Sequence, residues 1–193
     1  LPTKHGDFSL FAYTALADGM EHLALVRGNP CGDETPALCR IHSECLTGDA
    51  LGSRRCDCGE QYEEAMRLIA AEGAGVLIYL RQEGRGIGLV NKMRAYALQD
   101  GGLDTVDANT ALGFPADARS YEAAAAILRD LGIPKVRLMT NNPEKIAALT
   151  GFCIEVTERV PLVIEANPEN LRYLETKRKR MNHQLEGVQH ENH

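Results

Sequence analysis

The 193-residue chain carries 27 Asp and Glu against 21 Lys and Arg, a net charge of -6 that excludes broad, sequence-independent attraction to nucleic acid. With 44% hydrophobic and 25% charged residues, no apolar run of membrane-spanning length and no secretory signal pattern, it reads as a globular chain expected in the cytoplasm without a membrane partner. No Pro-, Gly- or Ser-rich linker divides it, so one domain is expected over residues 1–185, with the polar stretch 186–193 as a disordered tail.

Apolar, β-favouring runs at Phe8 to Thr14, His22 to Val26 and Pro36 to His42 predict an opening made of strands. Tyr62, Ala65, Met66 and Ile69 repeat at helical spacing, which predicts an amphipathic helix ending near Gly73 and feeding a buried strand, Gly75 to Arg81. A glycine-rich loop, Gln82 to Gly88, leads into a helix over about Leu89 to Asp100. Ala124, Ile127, Leu128 and Leu131 mark another helix, stopped by Gly132, and Val136 to Thr140 reads as a strand. It ends in Asn141-Asn142-Pro143, where Asn142 suits an N-cap, Pro143 the first helical position and Lys145 the first turn, together resembling an anion site. A strand from about Ile154 to Leu162 and a last helix from Asn167 complete the pattern. Strands alternating with helices predict an α/β fold, and the strand-only opening predicts a mixed rather than wholly parallel β-sheet flanked by helices.

The densest chemistry lies between His42 and Gly59. Cys56-Asp57-Cys58 sets two thiols two residues apart, and Cys45 arrives from the end of the preceding strand. A structural zinc is normally ringed by four protein ligands, whereas a catalytic zinc keeps three and leaves a position for water or substrate. Three thiolates around Zn²⁺ would carry a net negative charge, which Arg54 or Arg55 is placed to offset. Three buried cysteines, or one strained disulfide, is the alternative. Cys31, Cys39 and Cys153 read as small buried or free thiols. His42-Ser43-Glu44 is similar to the H-x-E of zinc deaminases, but the partner here is C-x-C rather than P-C-x-x-C. The glycines at 84, 86 and 88 allow backbone N–H groups to approach a phosphate, with Arg85 to pair with it. A turn that merely needs positive φ would carry the same glycines. Asp117-Ala118-Arg119 likewise reads either as a surface turn or as a carboxylate and guanidinium in one site.

Taken together, R-I-H-S-E-C-L-T-G-D-A (40–50), R-C-D-C-G (55–59), R-Q-E-G-R-G-I-G-L (81–89), N-K-M-R-A-Y-A-L-Q-D (91–100), L-G-F-P-A-D-A-R (112–119) and L-M-T-N-N-P-E-K (138–145) resemble GTP cyclohydrolase II over nearly the whole chain. The resemblance implies conversion of GTP to 2,5-diamino-6-ribosylamino-4(3H)-pyrimidinone 5′-phosphate, formate and pyrophosphate, the first committed step of riboflavin biosynthesis. It implies Cys45, Cys56 and Cys58 as ligands of one Zn²⁺ per subunit, and Arg40, Ile41, His42, Ser43, Glu44, Gln61, Glu83, Gly84, Arg85, Thr105, Thr140 and Lys145 as contacts to GTP. Asp117 matches the family's proton acceptor, Arg119 its nucleophile toward the α-phosphate, and Tyr96 a tyrosine near the ring-opening chemistry. Mg²⁺ with the triphosphate and a homodimer are further implications. A guanidinium stays protonated and offers no lone pair, so Arg119 reads equally well as a clamp on the phosphates, with water attacking and Asp117 as base. Two alternatives differ in outcome: a relative that retains the formyl group, disfavoured by the presence of Tyr96, and an inactive zinc-stapled nucleotide-binding module.

Overall fold

The computed structural model describes residues 1–16, 18–31 and 35–185; the tail expected at 186–193 lies outside the described residues. In chain order the elements are β1 (Pro2–Thr3), β2 (Gly6–Asp7), β3 (Ser9–Thr14), β4 (Glu21–Arg27), β5 (Ala37–Ser43), α1 (Leu46–Asp49), α2 (Cys58–Glu72) and β6 (Gly75–Leu80). A 3₁₀ turn (Glu83–Gly86) precedes α3 (Leu89–Asp100), α4 (Thr105–Ala111), α5 (Glu122–Asp130), β7 (Lys135–Met139), α6 (Pro143–Gly151), β8 (Glu155–Val160) and α7 (Leu171–Arg180). The chain divides into two compact units, one formed by Leu1–Glu44, Tyr62–Arg81 and Ser120–Leu162, the other by the remaining segments.

The first unit holds a six-stranded sheet in the order β3-β4-β6-β5-β7-β8. β3, β4 and β6 pair antiparallel, whereas β6, β5, β7 and β8 run parallel, which gives the mixed sheet expected from the strand-only opening. Side chains alternate across the pleat. Val76, Ile78 and Leu80 of β6 and Cys39 and Ile41 of β5 face a core completed by Ala124, Ile127 and Leu128 of α5 and Leu149 of α6. Leu77 and Leu38, on the opposite face, pack with Ala65, Met66 and Ile69, the helical stripe read from the sequence. Each fully buried Leu or Ile contributes about 1.5–3 kcal/mol of transfer free energy, so this two-sided burial fixes the register of β5 and β6. The parallel strands bring the carboxyl ends of β5, β6 and β7 to one edge of the sheet, where α/β proteins gather ligand-binding residues.

The start of α6 forms as its residues dictate. The Asn142 side chain accepts from the Glu144 N–H at 3.0 Å, and Pro143 opens the helix. The strand expected from Ile154 to Leu162 is shorter, because Ile154 and Leu162 are buried beyond its ends. The last helix begins at Leu171 rather than Asn167, since the Asn167 side chain accepts from the N–H groups of Glu169 and Asn170 and holds a turn there.

The second unit, among the described residues, is helices and turns: α1, the first turn of α2, the 3₁₀ turn, α3, α4 and α7. α4 was not predicted. Its cap is nevertheless conventional, with the Asp104 carboxylate accepting from Val106 N–H and Asp107 N–H, each at 2.8 Å.

Candidate active site

In the second unit the three thiols expected to bind metal come together: the sulfur atoms of Cys45, Cys56 and Cys58 all lie within 4.8 Å of one another. Cys45 and Cys56 are buried, Cys58 is half-buried, and the Cys45 and Cys56 sulfurs are 3.7 Å apart. All six cysteines are unbridged, so the disulfide alternative is not adopted. The acidity is divided unevenly among the three thiols. Hydrogen bonds from Cys56 and Cys58 push Cys45 far below the ordinary thiol range, while the bond to Cys45 pushes Cys56 up to about 11 and bonds to both neighbours push Cys58 well up. A soft divalent ion is the species that would let all three thiols ionise together.

Glycine makes this convergence possible. A Cβ at Gly59 would stand 2.3 Å from the Gly48 carbonyl oxygen, and one at Gly48 would stand 3.2 Å from both the Cys45 and Cys56 sulfurs. The α1 turn and the start of α2 thus touch backbone to backbone beside the sulfurs. Asp49 supports the same turn, its carboxylate accepting from the Cys45 N–H at 2.9 Å.

Around the sulfurs sits a polar layer that the sequence did not announce. Lys92 Nζ donates to the Cys45 sulfur at 3.2 Å and to Glu83 Oε1 at 2.7 Å. Glu83 also accepts from Leu46 N–H and Gly84 N–H, each at 2.7 Å, so its buried carboxylate joins the α1 turn, the glycine-rich loop and α3. Asp57, between two cysteines and 1% exposed, accepts from Lys177 Nζ of α7 and from the Gln61 amide, each at 2.6 Å. Arg54 and Arg55, expected to offset the thiolate charge, instead pair with Glu169 at 3.0 Å and Asp100 at 2.8 Å, both partly exposed. Lysine rather than arginine stands on the sulfur.

Tyr96 reaches the cluster through a relay: its hydroxyl lies 3.3 Å from Thr47 Oγ1, which lies 3.7 Å from the Cys45 sulfur. Arg55 stacks over the Tyr96 ring at 4.4 Å. Burial first, together with the Cys56 and Cys45 thiols, raises the Tyr96 hydroxyl above its ordinary pKa and makes it less acidic, so it keeps its proton at neutral pH.

The glycine-rich loop and the Asp117-Ala118-Arg119 stretch are also brought together. Ala118 N–H donates to the Arg85 carbonyl at 3.1 Å, and a Cβ at Gly86 would meet the Ala118 carbonyl oxygen at 3.0 Å. Arg85 has a left-handed φ of 64°, and both terminal guanidinium nitrogens are buried without a hydrogen-bond partner among the described residues. Arg119 grips Asp117 through Nε, at 2.9 Å from Oδ1, and through a short Nη2 contact to Oδ2. Burial pushes the Asp117 carboxyl up, but Arg119 and then Arg85 more than offset it and hold it below the usual carboxylate range. Thr105 opens α4 in this unit, half-buried.

The remaining expected residues belong to the sheet-bearing unit. Arg40 Nη1 donates to the Met139 carbonyl at 2.8 Å, and Lys145 Nζ donates to the Ile41 carbonyl at 2.8 Å. Ile41 is fully buried in the core, side chain and backbone alike, and its carbonyl is already taken by Lys145. His42 is buried, with its ring stacked on Tyr79 at 5.4 Å and edge-on to Tyr62 at 5.5 Å. Ser43 ends β5, Glu44 N–H donates to the Leu80 carbonyl at 2.8 Å, and the buried Thr140 hydroxyl accepts from Asn142 N–H at 3.1 Å.

The family model for GTP cyclohydrolase II matches residues 1–161. The chain belongs to the GTP cyclohydrolase II family. Among curated relatives, a riboflavin biosynthesis protein RibBA of Rhodococcus erythropolis is 56% identical over 192 residues, covering 97% of this chain and 45% of the relative. RibBA proteins of Mycobacterium avium and Mycobacterium tuberculosis are 55% and 54% identical over the same length, with the same shares covered. The chain therefore spans about 45% of the length of these relatives. A crystal structure of a two-domain 3,4-dihydroxy-2-butanone 4-phosphate synthase from A. baumannii aligns with 83% of this chain and 38% of that one, at a TM-score of 0.46 and 24% identity, a likeness too slight to bear on function.

For a GTP cyclohydrolase II chain, the residues missed by sequence reasoning are those with distant partners. Lys92 falls three and four positions before Ala95 and Tyr96 on the buried stripe of α3, and Lys177 three after the buried Leu174 of α7. A lysine on an otherwise buried stripe was the available signal.

Proposed function

We propose that residues 1–185 form a catalytic domain that hydrolyses GTP to 2,5-diamino-6-ribosylamino-4(3H)-pyrimidinone 5′-phosphate, formate and pyrophosphate in riboflavin biosynthesis. The observation that carries this reading is the three-sulfur cluster in the same unit as an Arg85 guanidinium whose buried terminal nitrogens have no hydrogen-bond partner among the described residues. Soft donors, a lysine on one sulfur and glycine backbone at van der Waals range all fit a divalent zinc ion. Cys45, Cys56 and Cys58 would hold the zinc, which would supply Lewis acidity for hydrolytic opening of the imidazole ring of guanine.

The chain's own residues do the rest. Tyr96, protonated and tethered through Thr47, is a donor for the ring nitrogen that must gain a proton as the formyl carbon departs. Arg85 gives two unsatisfied N–H edges to phosphate oxygens, where Mg²⁺ would accompany the triphosphate. Arg119, fully protonated beside Asp117, serves as a clamp on the charge that develops at the α-phosphate rather than as a nucleophile. While Arg119 holds it, Asp117 is a poor base. Turning the Arg119 side chain toward phosphate removes the largest influence opposing burial and lets the Asp117 carboxyl rise, which readies it to take a proton from water.

Three measurements follow. In the unliganded protein, an NMR titration of Asp117 should give a midpoint below the ordinary 3.8, and Arg119→Met should raise it, because burial is then opposed only by Arg85 and the backbone N–H of residue 119. A depressed native value stabilises the fold fully above the unfolded value and loses that stabilisation as the pH falls through the native one, so the mutant should lose the Asp117 contribution to acid sensitivity. A midpoint unchanged by the mutation would remove the argument for the clamp. Tyr96→Phe should cut formate release while pyrophosphate release continues, with a formylated pyrimidine accumulating; equal loss of both products would assign Tyr96 to binding instead. Incubation of purified protein with GTP, Mg²⁺ and zinc should yield formate, pyrophosphate and the diaminopyrimidine in equal amounts, and GTP left intact would reject the proposed activity.

A further inference from the structure

We propose that Lys92 is a positioning residue of the metal centre: its ammonium, anchored by Glu83, hydrogen-bonds the Cys45 sulfur, fixes the direction of that ligand and weakens its electron donation to a bound divalent ion. The proposal rests on the zinc reading above.

Lys92 is 8% exposed, and its ammonium lies 3.2 Å from the Cys45 sulfur and 2.7 Å from Glu83 Oε1. Glu83 cannot drift, because Leu46 N–H and Gly84 N–H hold its carboxylate at 2.7 Å each. Leu46 follows Cys45 directly, so one carboxylate sets both the main chain beside the sulfur and the cation that touches it. A compact ammonium with three rotatable donors meets carboxylate and sulfur at once, whereas a planar guanidinium has a fixed fork. The glycine-rich loop packs close to the Lys92 stem, since a Cβ at Gly84 would stand 3.1 Å from Lys92 Cβ.

Stability alone does not call for this arrangement. A buried ion pair is often replaceable by apolar residues at little cost, and the Lys92–Glu83 pair would be complete without the sulfur. Three thiolates donate strongly enough to blunt the Lewis acidity of a divalent ion, and an N–H···S bond to one of them draws electron density back. Outer-shell groups of this kind typically change metal affinity or activity by about 10- to 100-fold when removed.

Cobalt(II) reports sulfur donation directly through its sulfur-to-metal charge-transfer bands. Wild-type protein, Lys92→Met and Lys92→Arg should each be loaded with one Co²⁺ and their near-ultraviolet spectra compared. Loss of the N–H···S bond should move the Lys92→Met band to longer wavelength, with Lys92→Arg returning part of the shift and formate release falling about 10- to 100-fold in the methionine variant. An unshifted band in folded, cobalt-loaded Lys92→Met would overturn the proposal and leave the metal reading intact. Failure of the wild type to retain cobalt or zinc would instead overturn the metal reading, and the proposal with it. If Lys92→Met does not fold, a crystal structure of metal-loaded wild type decides: Nζ within hydrogen-bond range of the Cys45 sulfur sustains the assignment, and Nζ bonded to Glu83 alone refutes it.

Discussion

Gly59→Ala should disable metal retention at a site where no ligand has been changed. The new methyl would stand 2.3 Å from the Gly48 carbonyl oxygen and 2.9 Å from the Gly48 carbonyl carbon, and neither belongs to a side chain that can swing away. The α1 turn must move relative to the start of α2, and those two segments present the sulfurs of Cys45 and Cys58. Overpacking of a well-filled site costs about 1–3 kcal/mol, and here the strain falls on the ligand geometry itself. Zinc per chain, measured after dialysis against a weak chelator, should drop well below that of the wild type, with a fall in melting temperature of several degrees. Wild-type zinc retention in Gly59→Ala would mean that the two backbones can separate without disturbing the sulfurs.

Lys177→Met is expected to give the largest loss of stability. Asp57 is 1% exposed, and Lys177 is its ionic partner at 2.6 Å, with Gln61 on the other oxygen. Removing one member of a buried pair strands the other charge and typically costs about 3–5 kcal/mol. Urea unfolding should show that loss as a lower midpoint. The double variant Asp57→Asn with Lys177→Met should recover much of it, because no charge is then left uncompensated. If the single and double variants unfold alike, the pair is not coupled and α7 holds the cysteine loop by packing alone.

What could be read beforehand follows the range of the interactions involved. The apolar strand at Pro36 to His42, the buried strand at Gly75 to Arg81, the stripe Tyr62-Ala65-Met66-Ile69 and the Asn142-Pro143 helix start are set by residues a few positions apart, and the structure bears them out. The gathering of the three sulfurs was legible for the same reason, since Cys56 and Cys58 are nearest neighbours but one and Cys45 ends the preceding strand connection. α4 was missed although Asp104 was an available cap, because the following T-V-D-A-N-T-A has little apolar periodicity. Charges were harder. Arg54 and Arg55 are closest in sequence to the thiolates, yet Lys92 reaches the sulfur from 47 positions away, and Lys177 reaches Asp57 from 120. Lys145 falls in the first turn of α6 as expected, but its ammonium bonds the Ile41 carbonyl. Helix placement follows from local pattern; the direction of a long side chain follows from packing that no local pattern contains.

Formate release from GTP by metal-stripped protein, with zinc restored in substoichiometric steps, tests the central claim most directly. Activity should be negligible in the stripped protein, rise in proportion to added zinc and level off at one ion per chain, while Cys56→Ser stays inactive throughout. Full turnover by the stripped protein, or recovery in Cys56→Ser equal to that of the wild type, would contradict the assignment of the three-sulfur pocket to guanine ring opening.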